Sequence, residues 1–148
     1  MKFIADKMLG RLAKWLRILG YDCLYFSQEQ KMDLIYTSLR EDRLILTRNS
    51  RWKKKPLKLL FIESELINEQ LKQVVKTLNL AINREDIFTR CLICNEKVLK
   101  VAKESIKGKV PAYVYQTLQE FARCPKCDKI YWKGTHWNKT IEDLKKIS

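Results

Sequence analysis

The chain has 148 residues, which is enough for one domain or two small ones with a buried core. Its 30 basic and 17 acidic side chains give a formal net charge of +13, which favours a polyanionic partner such as nucleic acid, with solubility alone as the alternative. The sequence has no secretory signal and no apolar run approaching about 18 residues, so we expect a cytoplasmic protein that does not span a membrane.

Short apolar runs and helical patterns alternate over residues 1–90. We predict strands at 3–5, 22–26, 44–46 and 59–62, and helices at 9–19, 32–41 and 67–78. Gly20 follows the first helix and is a natural residue for its end. The alternation is typical of a parallel sheet covered by helices, so we predict an α/β domain over residues 1–85.

The pattern changes near Arg84, and residues 86–148 are predicted to form a second domain. Within it we predict a helix that begins at Pro111 and includes Phe121 on its apolar side. The run 130–137 is predicted to be an aromatic strand and turn, and 138–148 a short charged helix or a frayed end.

Four cysteines in two C-x-x-C pairs mark this second domain. They are Cys91, Cys94, Cys124 and Cys127. Two such pairs supply the four thiolates of a tetrahedral structural Zn²⁺ site, which leaves no open position for catalysis. Two disulfides, unrelated thiol pairs or a redox role are the alternatives. We expect Cys23 to be a buried apolar side chain and His136 to pack or hydrogen-bond within the second domain.

Acidic and polar side chains follow the ends of the predicted parallel strands. They are Asp6, Asp33, the run Thr47, Arg48 and Asn49, and Glu63. Since the carboxyl ends of parallel strands share one edge of a sheet, we expect these side chains to lie near each other. Carboxylates there would suit Mg²⁺ or Mn²⁺ and the cleavage of phosphodiesters. The alternative is that these acids cap helices or stabilise their first turns, and for Glu63 capping is favoured.

Basic residues are predicted to surround this edge and to contact phosphates. They are Arg11, Lys14 and Arg17 on the first helix, and Arg48, Arg51, Lys53, Lys54, Lys55 and Lys58 after the third strand. Trp52 lies among the second group, where it would either stack on a base or pack onto the core. The alternative for both groups is a solvated surface.

Four segments resemble the Mut-seven C-terminal RNase domain family. They read FIADKMLGRLAKWLRILGYD (3–22), RLILTR (43–48), FTRC (88–91) and YWKGTHW (131–137). The resemblance covers nearly the whole chain. It implies a PIN-like α/β nuclease fold followed by a zinc ribbon, and metal-dependent cleavage of RNA.

One position departs from the family pattern, because the family has Thr-Arg-Asp after the third strand and this chain has Asn49 there. The resemblance implies that Asp6 and Asp33 hold Mg²⁺ or Mn²⁺, with Asn49 as a weak third ligand. We therefore predict a metal-dependent endoribonuclease. The alternatives are an RNA-binding module with a degenerate nuclease site, and a protein-interaction adaptor that exposes Trp132 and Trp137.

Overall fold

The computed structural model of the protein describes residues 1–26 and 31–147. The chain divides into two compact units, Met1–Arg17 with Tyr21–Ala81, and Ile18–Gly20 with Ile82–Ser148. The domain border predicted between residues 85 and 86 stays a prediction. Within the described ranges, no helix is long and apolar enough to cross a membrane.

The first unit is built on a four-stranded parallel sheet with the strand order β2-β1-β3-β4. Its strands are β1 (Lys2–Ala5), β2 (Asp22–Tyr25), β3 (Leu44–Thr47) and β4 (Leu59–Phe61). Its helices are α1 (Gly10–Ile18), α2 (Lys31–Glu41) and α3 (Ile67–Thr77). The predicted α/β class, a parallel sheet flanked by helices, is confirmed. Each predicted strand and helix of this unit agrees with the observed one to within one residue at either end.

Burial explains why the two inner strands are mostly apolar. A parallel sheet flanked by helices hides both faces of its inner strands, so all of their residues are buried except Lys2 at the start of β1. The inner strands and the inward face of α1 supply the fully buried side chains Phe3, Ile4, Ala5, Leu12, Leu16, Ile45 and Leu46. The same burial makes β1 and β3 a rigid support for the residues that follow them.

Helix α1 ends as the sequence predicts. The backbone N–H of Tyr21 donates to the carbonyl of Leu16 at 2.9 Å, and Gly20 has a φ of +94°. This is the bonding of a Schellman cap, which needs a left-handed residue at the position that Gly20 occupies. Glycine adopts that conformation without a Cβ penalty, so the chain reverses into β2 at this point.

A buried arginine ties the sheet together at the amino end of β3. Arg43 donates from Nη1 to Oδ1 of Asp22 at 2.7 Å and to the carbonyl oxygen of Phe3 at 3.0 Å. Its Nη2 reaches Oδ2 of Asp22 at 3.3 Å, and its Nε donates to Oε1 of Glu41 at 3.0 Å. One side chain thus connects β1, the start of β2 and the end of α2.

The second unit contains a three-stranded antiparallel sheet with the order β5-β6-β7. Its strands are β5 (Leu99–Val101), β6 (Phe121–Arg123) and β7 (Ile130–Tyr131), and its helices are α4 (Ala112–Thr117) and α5 (Thr135–Lys145). A cluster of buried apolar side chains supports this sheet, and it contains Ile106, Val114 and Phe121.

Two predictions for the second unit are wrong. Phe121 belongs to β6 and not to the helix predicted to begin at Pro111, because that helix, α4, ends at Thr117. Val114 on the helix and Phe121 on the following strand pack in the same apolar cluster, so their spacing resembles that of one helix. The aromatic run after the second C-x-x-C pair is a strand only as far as Tyr131, and α5 begins at Thr135.

Candidate functional site

The strand order of the first unit gives a topological switch point at the carboxyl ends of β1 and β3. The strand β1 lies between β2 and β3, so the chain passes to one side of β1 and then to the other. At such a switch point, open parallel sheets bind their ligands. Ala5 pairs with Leu46, so the residues that follow them, Asp6 and Thr47, are neighbours. We call Asp6, Thr47 and Asn49 the switch-point site.

Asp6 is partly buried, and both of its carboxylate oxygens accept hydrogen bonds from the protein. Its Oδ1 accepts from the backbone N–H of Met8 at 3.1 Å, which caps the short 3₁₀ turn that follows. Its Oδ2 accepts from the hydroxyl of Thr47 at 2.5 Å and from the backbone N–H of Arg48 at 3.3 Å. A carboxylate offers about four lone-pair sites, so these three donors orient Asp6 and leave it capacity to bind a cation.

Asn49 has a structural role beside Asp6. Its side-chain Oδ1 accepts from the backbone N–H of Arg51 at 3.0 Å and so caps the 3₁₀ turn Ser50–Trp52. Its backbone N–H donates to Oγ1 of Thr47 at 2.9 Å. The Thr47 hydroxyl therefore connects Asn49 to Asp6. An asparagine amide is a neutral oxygen donor, so this position lacks the negative charge that an aspartate would supply.

Asp33 and Glu63, the other acids predicted at this edge, are exposed. Asp33 lies in the first turn of α2, where the helix dipole also favours a negative charge. Across residues 1–26 and 31–147, one group of three or more histidine, cysteine or carboxylate side chains is close enough to share a metal ion, and it consists of cysteines. Asp6, Asp33 and Glu63 do not form a second group of this kind. The joint binding of a metal by Asp6 and Asp33 stays a prediction.

The basic residues predicted to contact phosphates fall into two classes. Arg17 donates from Nε to the carbonyl of Cys23 at 2.8 Å, and Arg48 donates from Nη1 to the carbonyl of Ile62 at 2.9 Å. These two guanidinium groups therefore use some of their donors inside the fold. The others, which are exposed, are Arg11, Lys14, Arg51, Lys53, Lys54, Lys55 and Lys58.

Trp52 does not lie on the surface. Its side chain is 4% exposed and packs with Ile4, Leu34 and Ile45 in the core of the first unit. Of the two roles predicted for it, base stacking is wrong and core packing is confirmed. The basic segment around it therefore presents charged side chains without this aromatic ring.

The two C-x-x-C pairs have the same local geometry. The N–H of Asn95 donates to the carbonyl of Cys91, and the N–H of Asp128 donates to the carbonyl of Cys124, both at 2.9 Å. Asn95 and Asp128 each have a φ of +65°, a conformation that asparagine and aspartate tolerate better than other side chains. Each turn folds its two sulfurs toward the same point.

The four sulfur atoms of these pairs meet the requirements of a metal site. The sulfurs of Cys91, Cys94, Cys124 and Cys127 all lie within 4.8 Å of one another. The Sγ atoms of Cys91 and Cys127 are 3.7 Å apart. A tetrahedron of Zn–S bonds of about 2.3 Å has edges of about 3.8 Å, so the sulfurs fit this ion with little movement. The cysteines are therefore positioned to bind a metal ion.

Tyr131 supports this site from β7, and it is not among the site residues predicted from the sequence. Its hydroxyl lies 3.2 Å from the Sγ of Cys91 and accepts from the backbone N–H of Leu92 at 3.0 Å. Burial alone would raise the pKa of Cys91. Hydrogen bonds from Tyr131 and from backbone amides outweigh it and lower this pKa to about 6. The only signal in the sequence is that an aromatic residue follows the second pair by four positions.

The two remaining candidates have no part in these sites. Cys23 is fully buried, and burial raises the pKa of its thiol to about 12, which fits the predicted structural role. His136 is exposed on α5, which does not fit the predicted packing role.

Comparison with known proteins gives two matches. A family model described as "Mut7-C RNAse domain" matches residues 1–144. The human protein described as "Exonuclease mut-7 homolog" is 31% identical over 114 residues, which are 72% of this chain and 13% of that protein. The chain thus spans about an eighth of the length of this relative.

Proposed function

Because the chain belongs to the Mut7-C RNAse domain family, we propose that it is a metal-dependent endoribonuclease that acts at the switch-point site. The observation that carries this proposal is the position of Asp6. It is a partly buried carboxylate, oriented by three donors, at the switch point of the strand order, where parallel sheets bind ligands. The word exonuclease in the name of the human relative describes a much longer protein. It therefore does not decide whether this chain would cleave RNA internally or from an end.

In this proposal Asp6 and Asp33 hold Mg²⁺ or Mn²⁺. Such ions usually keep several waters beside one or two carboxylates, so a small set of protein ligands is sufficient. The ion would supply a water with a lowered pKa and stabilise the leaving oxygen of the phosphodiester. Thr47 fixes the Asp6 carboxylate through its 2.5 Å hydrogen bond, and Asn49 offers a neutral oxygen as a weak third ligand.

The exposed basic side chains around the site would hold the RNA backbone. Arg11 lies on α1, and Arg51, Lys53 and Lys54 follow β3. Arg17 and Arg48 would contact the RNA backbone in addition to the hydrogen bonds that they donate to carbonyls inside the fold. The net charge of +13 provides the long-range attraction, so we expect binding to weaken steeply as salt is added.

The four-cysteine site in the second unit would hold a structural Zn²⁺. Four thiolates fill its coordination sphere, so it supports the fold and takes no part in cleavage. We propose the cytoplasm as the compartment, because thiols stay reduced there and remain available to a metal.

A second candidate function is RNA binding without cleavage, and Asn49 is the observation that favours it. The amide caps the turn Ser50–Trp52 as an aspartate could, yet it brings no charge to the metal. A site with one fewer carboxylate binds Mg²⁺ more weakly. In this reading the exposed basic side chains are retained for binding, while the switch-point site is inactive.

The test is cleavage of a closed circular single-stranded RNA, which has no end for an exonuclease, by the zinc-loaded chain with Mg²⁺ or Mn²⁺. We expect cleavage by the natural sequence and a loss of at least about 100-fold in Asp6→Asn, because a metal-bound transition state is stabilised by several kcal/mol. The control is Asp42→Asn, since Asp42 is exposed and forms a surface ion pair with Lys58 at 3.6 Å.

The variant Asn49→Asp separates the two functions. Cleavage by both the natural sequence and Asn49→Asp, with the latter faster, supports the nuclease. If Asn49→Asp cleaves the RNA and the natural sequence does not, the result supports RNA binding without cleavage. The absence of cleavage in both, with zinc content and folding verified, contradicts the catalytic proposal.

A further inference from the structure

A cavity of about 410 Å³ lies against one face of the antiparallel sheet in the second unit. Lys100, Ala122 and Tyr131 are direct cross-strand neighbours on β5, β6 and β7, so their side chains share this face. Ala122, which lies between the other two, has only a methyl side chain, so the centre of this face is open. Residues 87–89 and Trp132 also line the space, which we call the sheet cavity. Its volume falls within the range of about 300–1,000 Å³ that ligand pockets occupy.

Two partly buried aromatic side chains, Phe88 and Trp132, line the sheet cavity. Trp132 is held in place by an edge contact with Phe121, with ring centroids 6.5 Å apart. Phe88 has a φ of +59°, which is a true outlier for a bulky side chain. Strained backbone of this kind persists where the surrounding structure fixes it, and it concentrates at ligand sites. The cavity is therefore suited to a flat apolar ligand.

Charged side chains of both signs line the same cavity. Lys100 and Lys133 are exposed cations, and Glu85 and Glu120 are exposed carboxylates. In the described part of the chain, none of the four forms an ion pair, so all are available to a ligand. The Nζ atom of Lys133 also lies 5.4 Å from the ring centroid of Trp137.

We propose that the sheet cavity binds one nucleotide of single-stranded RNA. The base would stack against Phe88 and Trp132, and its Watson–Crick edge would donate to Glu85 or Glu120. The phosphate would pair with Lys100 or Lys133. The choice of RNA as the source of the nucleotide rests on the proposed function, whereas binding of the nucleotide can be measured without any cleavage.

The test is calorimetric titration of the zinc-loaded full chain, carrying Asp6→Asn so that no RNA is cleaved. The probes are GMP, ribose 5-phosphate and a guanosine-containing RNA hexamer. GMP is chosen because the guanine edge presents donors to a carboxylate. We expect GMP to bind about tenfold or more tightly than ribose 5-phosphate, which lacks the base, and the hexamer to bind at least as tightly as GMP.

Two variants connect this binding to the sheet cavity. Ala122→Leu fills the cavity from its floor, and its matched control is Ala112→Leu, at an exposed position on α4. We expect GMP affinity to fall about tenfold or more in Ala122→Leu and to be unchanged in the control. If Ala122→Leu fails to fold, a double variant replaces it, which combines Lys100→Gln and Lys133→Gln. We expect it to lose GMP affinity to a similar extent.

Three outcomes would overturn the proposal. They are equal affinities for GMP and ribose 5-phosphate, GMP binding that survives in the cavity variants, and a hexamer that is excluded while GMP binds. The last outcome would identify a free nucleotide as the ligand. Cleavage that depends on Asp6 without GMP binding would refute only this proposal, and GMP binding without cleavage by the natural sequence would refute only the nuclease.

Discussion

The buried side chain of Arg43 gives the sharpest prediction for the fold. The change Arg43→Met keeps most of the apolar stem and removes all four hydrogen bonds of the guanidinium. The carboxylate of Asp22, which is 23% exposed, then loses its ion pair with Arg43, and the carbonyl of Phe3 loses the hydrogen bond from Arg43. Removing one member of a buried ion pair costs about 3–5 kcal/mol. Because Asp22 and Glu41 keep some contact with water, we expect the lower end, about 3 kcal/mol of unfolding free energy.

The assay is urea unfolding of the zinc-saturated chain at neutral pH, followed by circular dichroism. Arg40→Met is the control, because the Arg40 side chain is 59% exposed and its salt bridge to Glu41 spans 3.3 Å. We expect this control to cost less than about 0.5 kcal/mol. A double-mutant cycle with Asp22→Asn should show that the two changes are not additive. Equal costs for Arg43→Met and Arg40→Met, or strict additivity with Asp22→Asn, would show that the Arg43 hydrogen bonds do not stabilise the fold.

Two further predictions concern the metal site and the pH dependence of stability. Tyr131→Phe removes the hydroxyl beside Cys91 and should weaken zinc binding by about 10- to 100-fold. The assay is a competition titration with a chromophoric chelator. The control is Tyr113→Phe, at an exposed position, which should leave zinc binding unchanged. The hydrogen bond from Arg43 lowers the pKa of Glu41 below its ordinary value of 4.5, so Glu41 contributes stability above that pH and loses it as the pH falls through its folded-state pKa. Urea unfolding should therefore show Glu41→Gln to be less stable than the natural sequence at neutral pH, with the difference vanishing in acid. A difference that does not change with pH would contradict this account.

The first unit could be predicted closely because its local signals agree with its tertiary structure. The inner strands are continuous apolar runs, and the helices keep one apolar face, so periodicity alone marks each element. Gly20 ends α1 where a left-handed residue is needed. The second unit offers weaker signals, since its strands have only two or three residues each. The sequence predicts a helix at Phe121 because its spacing from Val114 fits a helix, although the two side chains share a cluster across a helix and a strand.

The chemistry near the switch-point site could be predicted only in part, because the sequence shows residue types and not the direction of side chains. Trp52 lies in a basic segment yet packs into the core. Arg17 and Arg48 belong to basic groups yet bond backbone carbonyls. Arg43 looks like one more positive charge before a strand, although it is 6% exposed and connects three elements. Long-range pairs of this kind leave no periodic signal.

The most direct test of the central claim is the binding of Mn²⁺ to the zinc-loaded chain, measured by electron paramagnetic resonance of the free ion during a titration. We expect Mn²⁺ to bind to the natural sequence, binding to be lost in Asp6→Asn and kept in Asp42→Asn, and tighter binding in Asn49→Asp, which has a charged ligand at this position. Equal Mn²⁺ binding by Asp6→Asn and Asp42→Asn would contradict the account, because the strand-end carboxylate would then not be a ligand.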